Sequence, residues 1–162
     1  MQLSKVDVKG LNGDVTLPLT INGIKQLETL EDVKKYVFNM DMSMIFRKMT
    51  DEIWAGEIGI LWEVEDAEYA INQYRQYLYL VKKYETNIAP TIAVDAVWHN
   101  HILDTRKYIK DCQIIFGHYL HHYPYFGSRG DEDRRQLEIS FENTERLFLK
   151  EFGVDITSVG SV

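Results

Sequence analysis

Apolar and polar residues alternate at the start of the chain and then change period. Val6 and Val8, then Val15, Leu17, Leu19 and Ile21, are separated by polar neighbours, the period-two pattern of strands. Between the two runs stands Leu11-Asn12-Gly13-Asp14, and Asn-Gly is the strongest short hairpin-turn signal. This predicts a β-hairpin over residues 5–21, with Pro18 marking the second strand as an edge. From Thr29 the period becomes helical. The Thr29 hydroxyl can cap a helix with Asp32 at its third position. Val33, Val37 and Met40 follow at helical spacing, then Met44, Ile45 and Met49. The closely spaced Met40, Met42, Met44 and Met49 could form a soft thioether site, but flexible core filling is the stronger reading.

Residues 51–63 settle on no single period, and Gly56 and Gly59 weaken a helix there. The stretch reads as a connection carrying Trp54 and Trp62 into the core. From Glu65 to Tyr84 a strong helix runs, with Ala67, Ala70, Ile71, Tyr74, Leu78 and Val81 down one face. Its tyrosines could form an aromatic ladder for a ring-shaped ligand, but core whose hydroxyls reach water or a partner is the stronger reading. After the break at Asn87–Pro90, a short helix over 91–103 follows, with either Pro90 in its first turn or Thr91 as its cap. Asp104 can cap the next, from Thr105 to about Tyr123, where Pro124 ends it. Tyr125 to Asp131 is a loop with Gly127 and Gly130 as turn residues. A last helix over about 131–151 carries Leu137, Phe141, Leu147 and Phe148, and Gly153 stops it.

The expected fold is therefore mainly α: a single bundle-like domain of four to five helices with a small N-terminal β-hairpin. Within it, residues 1–24 form the hairpin arm, 29–153 the helical core and 154–162 a flexible tail. A chain of 162 residues suits one core. Its net charge of −7 argues against a partner with a phosphate backbone, so no nucleic acid is expected. No apolar run approaches the roughly 18–20 residues that span a bilayer, so no membrane is expected either. One cysteine and no signal-peptide pattern suggest a reducing, cytoplasmic setting for a soluble protein.

Candidate chemistry is concentrated between Asp95 and Gly127. All five histidines lie there: His99, His101, His118, His121 and His122. So do Asp95, Asp104, Asp111 and Cys112. Imidazole and carboxylate bind transition metals and move protons at neutral pH. Asp95 and His99 are four apart and can meet on one helical face. His101 sits about 200° around the helix from His99. Either the helix unwinds near Asn100 or one of these histidines is structural. On the next helix, Asp111, His118 and His122 share a stripe, and His118/His122 have the i, i+4 spacing that presents two imidazoles to one metal. His121 points aside from that stripe, and Cys112 lies on another. For any one histidine the structural reading is the stronger; for the cluster, converging from two segments, a site is.

The stretch Trp98-His99-x-His101-x-Leu103, preceded by Asp95 and followed by Tyr108-x-x-Asp111-Cys112, resembles the glycine-rich-domain-protein-like family. Its bacterial type is similar further on, at Phe116-Gly117, His121-His122, Pro124 to Gly127, Arg129-Gly130 and Asp133, and at residues 74–80. The resemblance covers about residues 65–153. It implies a helical domain with a His/Asp centre, and it favours His121 and His122 over His118.

Together these readings give a metal set of Asp95, His99, His121 and His122. Asp95, His101 and Asp111 are the candidate catalytic groups, with His101, Asp104 and Asp111 orienting the imidazoles. Arg129 and Tyr125 would meet a small-molecule or peptide substrate. Zinc suits such ligands best, and iron or copper could also be held. The expected function is a metal-binding protein, hydrolytic or oxidative if an enzyme. The rival is an interaction module for a protein partner, in which the motif is a buried polar network and the Tyr-rich helix is the binding face.

Overall fold

The computed structural model describes residues 23–55 and 61–156. Among them seven helices follow in order: α1 Leu30–Asn39, α2 Ser43–Thr50, α3 Glu52–Ala55, α4 Val64–Tyr84, α5 Ile92–Leu103, α6 Thr105–Phe116 and α7 Asp131–Phe152. The described residues contain no strand. The mainly α, bundle-like expectation agrees with this, and the expected four to five helices are corrected to seven among the described residues. The hairpin expected at 5–21 lies outside the described residues.

The extra helices arise where single side chains interrupt an apolar pattern. Met40 leaves the helical backbone at the end of α1, with ψ of 133°. Its carbonyl accepts Arg75 Nη2–H at 2.6 Å. Asp41 Oδ1 then accepts the Ser43 N–H at 3.0 Å and starts α2. The apolar run from Val33 to Met49 is thus two helices, because the corner's backbone groups find side-chain partners instead of continuing the ladder. Beyond α2, the single turn of α3 occupies the start of the stretch expected as a connection. Trp62 there packs on the core, but Trp54 is exposed, beneath the Arg47 guanidinium.

α4 is the axis of the bundle. α1, α2, α5 and α7 all pack against it, and from Gln73 to Leu80 every residue but Arg75 is buried. One apolar face was expected; nearly the whole circumference is covered, as in a helix surrounded by others. Three of its five tyrosines, Tyr74, Tyr77 and Tyr79, are buried in the core, and Tyr69 and Tyr84 are half-buried. Three of the four clustered methionines, Met40, Met42 and Met49, fill the same core, while Met44 is exposed. Each buried side chain of this size contributes about 1.5–3 kcal/mol relative to exposure.

The two helices of the histidine-rich stretch begin where their capping residues stand. Thr91 Oγ1 accepts the Val94 N–H at the start of α5. Asp104 Oδ1 accepts the Lys107 N–H at the start of α6. α6 ends seven residues sooner than expected, at Phe116. Gly117 follows with φ of 76° and its N–H on the Gln113 carbonyl. Left-handed backbone of this kind closes a helix, and glycine adopts it without a Cβ penalty. His118, His121 and His122 therefore lie on the loop between α6 and α7, and the expected helical His118/His122 pair does not form.

Candidate metal centre and the buried pair beside it

Asp95 and His99 project from the same face of α5, one turn apart. The α6–α7 loop brings His122 over them. His122 Nε2–H donates to Asp95 Oδ1 at 2.6 Å, and His99 Nε2 lies 3.6 Å from Asp95 Oδ2. One potential ligand atom from each of the three residues lies within 4.8 Å of the others. In a tetrahedral zinc site with bonds of about 2.0–2.2 Å, neighbouring ligand atoms lie roughly 3.4 Å apart. Small side-chain rotations would bring this triad to that spacing. The site is open on one side: the His99 side chain is 53% exposed and His122 13%.

His122 is held by packing as well as by Asp95. Its ring meets Trp98 edge-on at 4.6 Å and His99 at 4.7 Å between centroids. Trp98 Nε1–H donates to the Tyr108 hydroxyl at 2.8 Å. That hydroxyl in turn donates to the Leu120 carbonyl, two residues before His122. Trp98 and Tyr108 thereby tie the loop to α5 and α6.

On the opposite side of α5, His101 is buried. The helix stays continuous past Asn100, so the 200° separation sends His99 outward and His101 inward. His101 Nε2–H donates to Asp111 Oδ2 at 3.0 Å, and the Tyr74 hydroxyl donates to His101 Nδ1 at 2.8 Å. A carboxylate only accepts, which fixes this tautomer. Asp111 also accepts from the Tyr36 hydroxyl at 2.6 Å and from Lys107 Nζ at 2.8 Å. Burial alone would raise the Asp111 carboxyl. The hydrogen bonds from His101, Lys107 and Tyr36 override it and hold the group below the usual carboxylate range. Burial pushes the Tyr74 and Tyr36 hydroxyls upward, with Asp111 adding to both effects. Both phenols keep their protons and act as donors.

The structure thus brings together Asp95, His99 and His122 from the expected metal set. His121 is apart from them: it is exposed, its ring 4.9 Å from that of Tyr119. His118 is exposed too, with Nδ1 on the Tyr119 carbonyl at 3.1 Å. His101 and Asp111 bond each other rather than the triad, and Asp104 serves as a helix cap. Cys112 is buried and its thiol is pushed up to about 11 by burial, which keeps it a neutral thiol. Arg129 forms a two-atom contact with Asp133, Nη2 to Oδ1 at 2.8 Å and Nε to Oδ2 at 3.3 Å. Asp133 also accepts the Gly127 N–H at 2.7 Å, so this pair shapes the loop start of α7. Tyr125 is exposed and its ring meets Tyr123 at 5.7 Å.

Tyr36, Tyr74 and Lys107 around the buried pair, and Trp98 and Tyr108 behind the triad, were not among the expected site residues. The Tyr-rich pattern of α4 signalled buried hydroxyls in need of partners but could not name His101 as one.

A family model described as UCP032817-like matches residues 33–139, two thirds of the chain and both histidine centres. The chain belongs to the UCP032817-like family. The resemblance to the glycine-rich-domain-protein-like family is corrected by this match, since the shared Trp-His-x-His stretch lies inside the UCP032817-like region. No curated protein and no solved structure matches the chain. The UCP032817-like chain has no helix, among the described residues, long and apolar enough to cross a membrane.

Proposed function

We propose that the chain binds one divalent transition metal through Asp95 Oδ, His99 Nε2 and His122 Nε2. The observation that carries this reading is the convergence of two imidazoles and one carboxylate, from α5 and from the loop after α6, within 4.8 Å. Two imidazoles and a carboxylate leave further coordination positions open, and such a set suits zinc first, with iron or copper as alternatives. A metal held there would supply an acidified water or a polarising centre for hydrolytic or oxidative chemistry. The protein's own part is to hold His122 against Trp98 and to keep the His99 side open for a small molecule or peptide.

The 2.6 Å bond between His122 and Asp95 favours a second reading: a metal-free acid–base pair. The rival interaction module would have to use less of its expected face, since Tyr74, Tyr77 and Tyr79 of α4 are in the core while Tyr69 and Tyr84 are half-buried. Its buried polar network exists, but as His101–Asp111.

Elemental analysis of protein purified without an affinity tag tests the proposal. About one equivalent of a single metal is expected, lost in a folded His99→Ala/His122→Ala variant and kept in Lys107→Ala. No metal after reconstitution with zinc, iron and copper would overturn it. Activity that resists chelators would favour the acid–base pair.

A further inference from the structure

The corner between α1 and α2 holds a feature that neither histidine centre uses. An open cleft of about 470 Å³ lies there, within the roughly 300–1,000 Å³ range of small-molecule sites. Met40, Phe46 and Ile71 are among its apolar walls, and Asp41, Glu68 and Arg75 carry its charges. Glu68, Ile71 and Arg75 are spaced i, i+3, i+7 and share one face of α4. That face therefore presents an acid, an apolar side chain and a base in order.

Arg75 is only partly satisfied. Nη2 donates to the Met40 carbonyl at 2.6 Å, but the buried Nε–H has no acceptor. No carboxylate among the described residues forms an ion pair with its guanidinium. A guanidinium is a rigid fork of five donors whose geometry matches a carboxylate. Glu68 is exposed and likewise has no ion-pair partner among the described residues. Asp41 acts on Arg75 through its charge but forms no ion pair with it, and its Oδ1 is taken by the Ser43 N–H.

We propose that this cleft binds a small zwitterion with an apolar body, an apolar amino acid or dipeptide. Its carboxylate sits on Arg75, its ammonium on Glu68, and its apolar part on Met40, Phe46 and Ile71. A simple anion would face two acids at the rim, and a simple cation would leave the Arg75 Nε–H without an acceptor. Methionine and phenylalanine walls adapt to apolar side chains of different shape. This site is independent of the metal proposal.

Titration calorimetry on the full chain tests it with leucine, methionine, phenylalanine and leucyl-leucine. The controls are 4-methylpentanoate, which lacks the ammonium, and 3-methylbutylamine, which lacks the carboxylate. Saturable one-to-one binding is expected for at least one zwitterion, with both controls weaker by about tenfold or more. Arg75→Lys keeps the charge but loses the fork, and should weaken binding by about tenfold. Arg75 also holds the Met40 carbonyl, so Glu68→Gln on the exposed rim is the variant that leaves the corner intact. It should weaken the zwitterion and leave 4-methylpentanoate unchanged or tighter. No saturable binding by any zwitterion, equal binding of leucine and 4-methylpentanoate, or undiminished binding in Glu68→Gln would each overturn the proposal.

Discussion

His101 and His122 each bond an aspartate, at 3.0 and 2.6 Å, yet their surroundings give them opposite uses. His101 has both ring nitrogens engaged, and its buried aspartate takes three donors, from His101 and from the half-buried Tyr36 and Lys107. His122 shares Asp95 with His99 at a surface where solvent or a ligand can enter. A buried, fully bonded pair has no free valence for a substrate or a metal. A half-exposed carboxylate with two imidazoles around it does. The two centres sit on opposite faces of the same helix, so their proximity in sequence says little about shared function.

The comparison breaks most visibly on the buried side. Asp111→Ala would leave the donors of His101, Lys107 and Tyr36 without their acceptor. Removing one partner of a buried pair costs about 3–5 kcal/mol, which urea unfolding would measure. Metal content of the molecules that remain folded should be unchanged. If Asp111→Ala instead abolished metal binding in a folded protein, the separation of the two centres would be wrong.

Tyr108→Phe probes the link between them. It removes the acceptor of the buried Trp98 N–H and the donor to the Leu120 carbonyl. An unsatisfied buried group costs about 1–3 kcal/mol. Because the same hydroxyl ties down the loop carrying His122, metal affinity should also fall, by about tenfold. A stability loss with unchanged affinity would show that packing on Trp98 alone positions His122.

How far the sequence carried the reading depends on the range of the interaction that decides each feature. Caps act over three residues, and Thr29, Thr91 and Asp104 each hold the N–H three positions on, as their sequence positions suggested. Asp95 and His99 meet because of helical pitch, and the same pitch separates His101. Gly117 was the local signal passed over, because the apolar and histidine pattern continues through it toward Pro124. The partners of His101 and Asp111 were out of reach: Tyr74 is 27 residues away and Tyr36 is 75 from Asp111. His122 joins Asp95 only because α6 stops early and the loop folds back.

Acid titration separates the centres by a different route. Hydrogen bonds depress Asp111 in the fold, so its contribution to stability is complete above its unfolded value, about 3.9 for an ordinary aspartate. That contribution is lost as pH falls through the lower folded value. Wild type should therefore lose more stability below about pH 4 than Asp111→Ala does, as urea midpoints against pH would show. Parallel curves would mean that Asp111 is not the group the fold holds ionised.

The smallest effect is the most direct test of geometry against pattern. His121→Ala should leave metal stoichiometry and affinity unchanged, and should shift stability by no more than about 0.5 kcal/mol, as for other exposed positions. His122→Ala, one residue on, should abolish binding while costing the metal-free protein about 1 kcal/mol. Adjacent imidazoles on an irregular loop point in different directions, and only His122 faces Asp95. If the two variants lost metal equally, the loop would have to turn His121 toward α5 when the ion binds, and a fourth protein ligand would replace the open position on which substrate access depends.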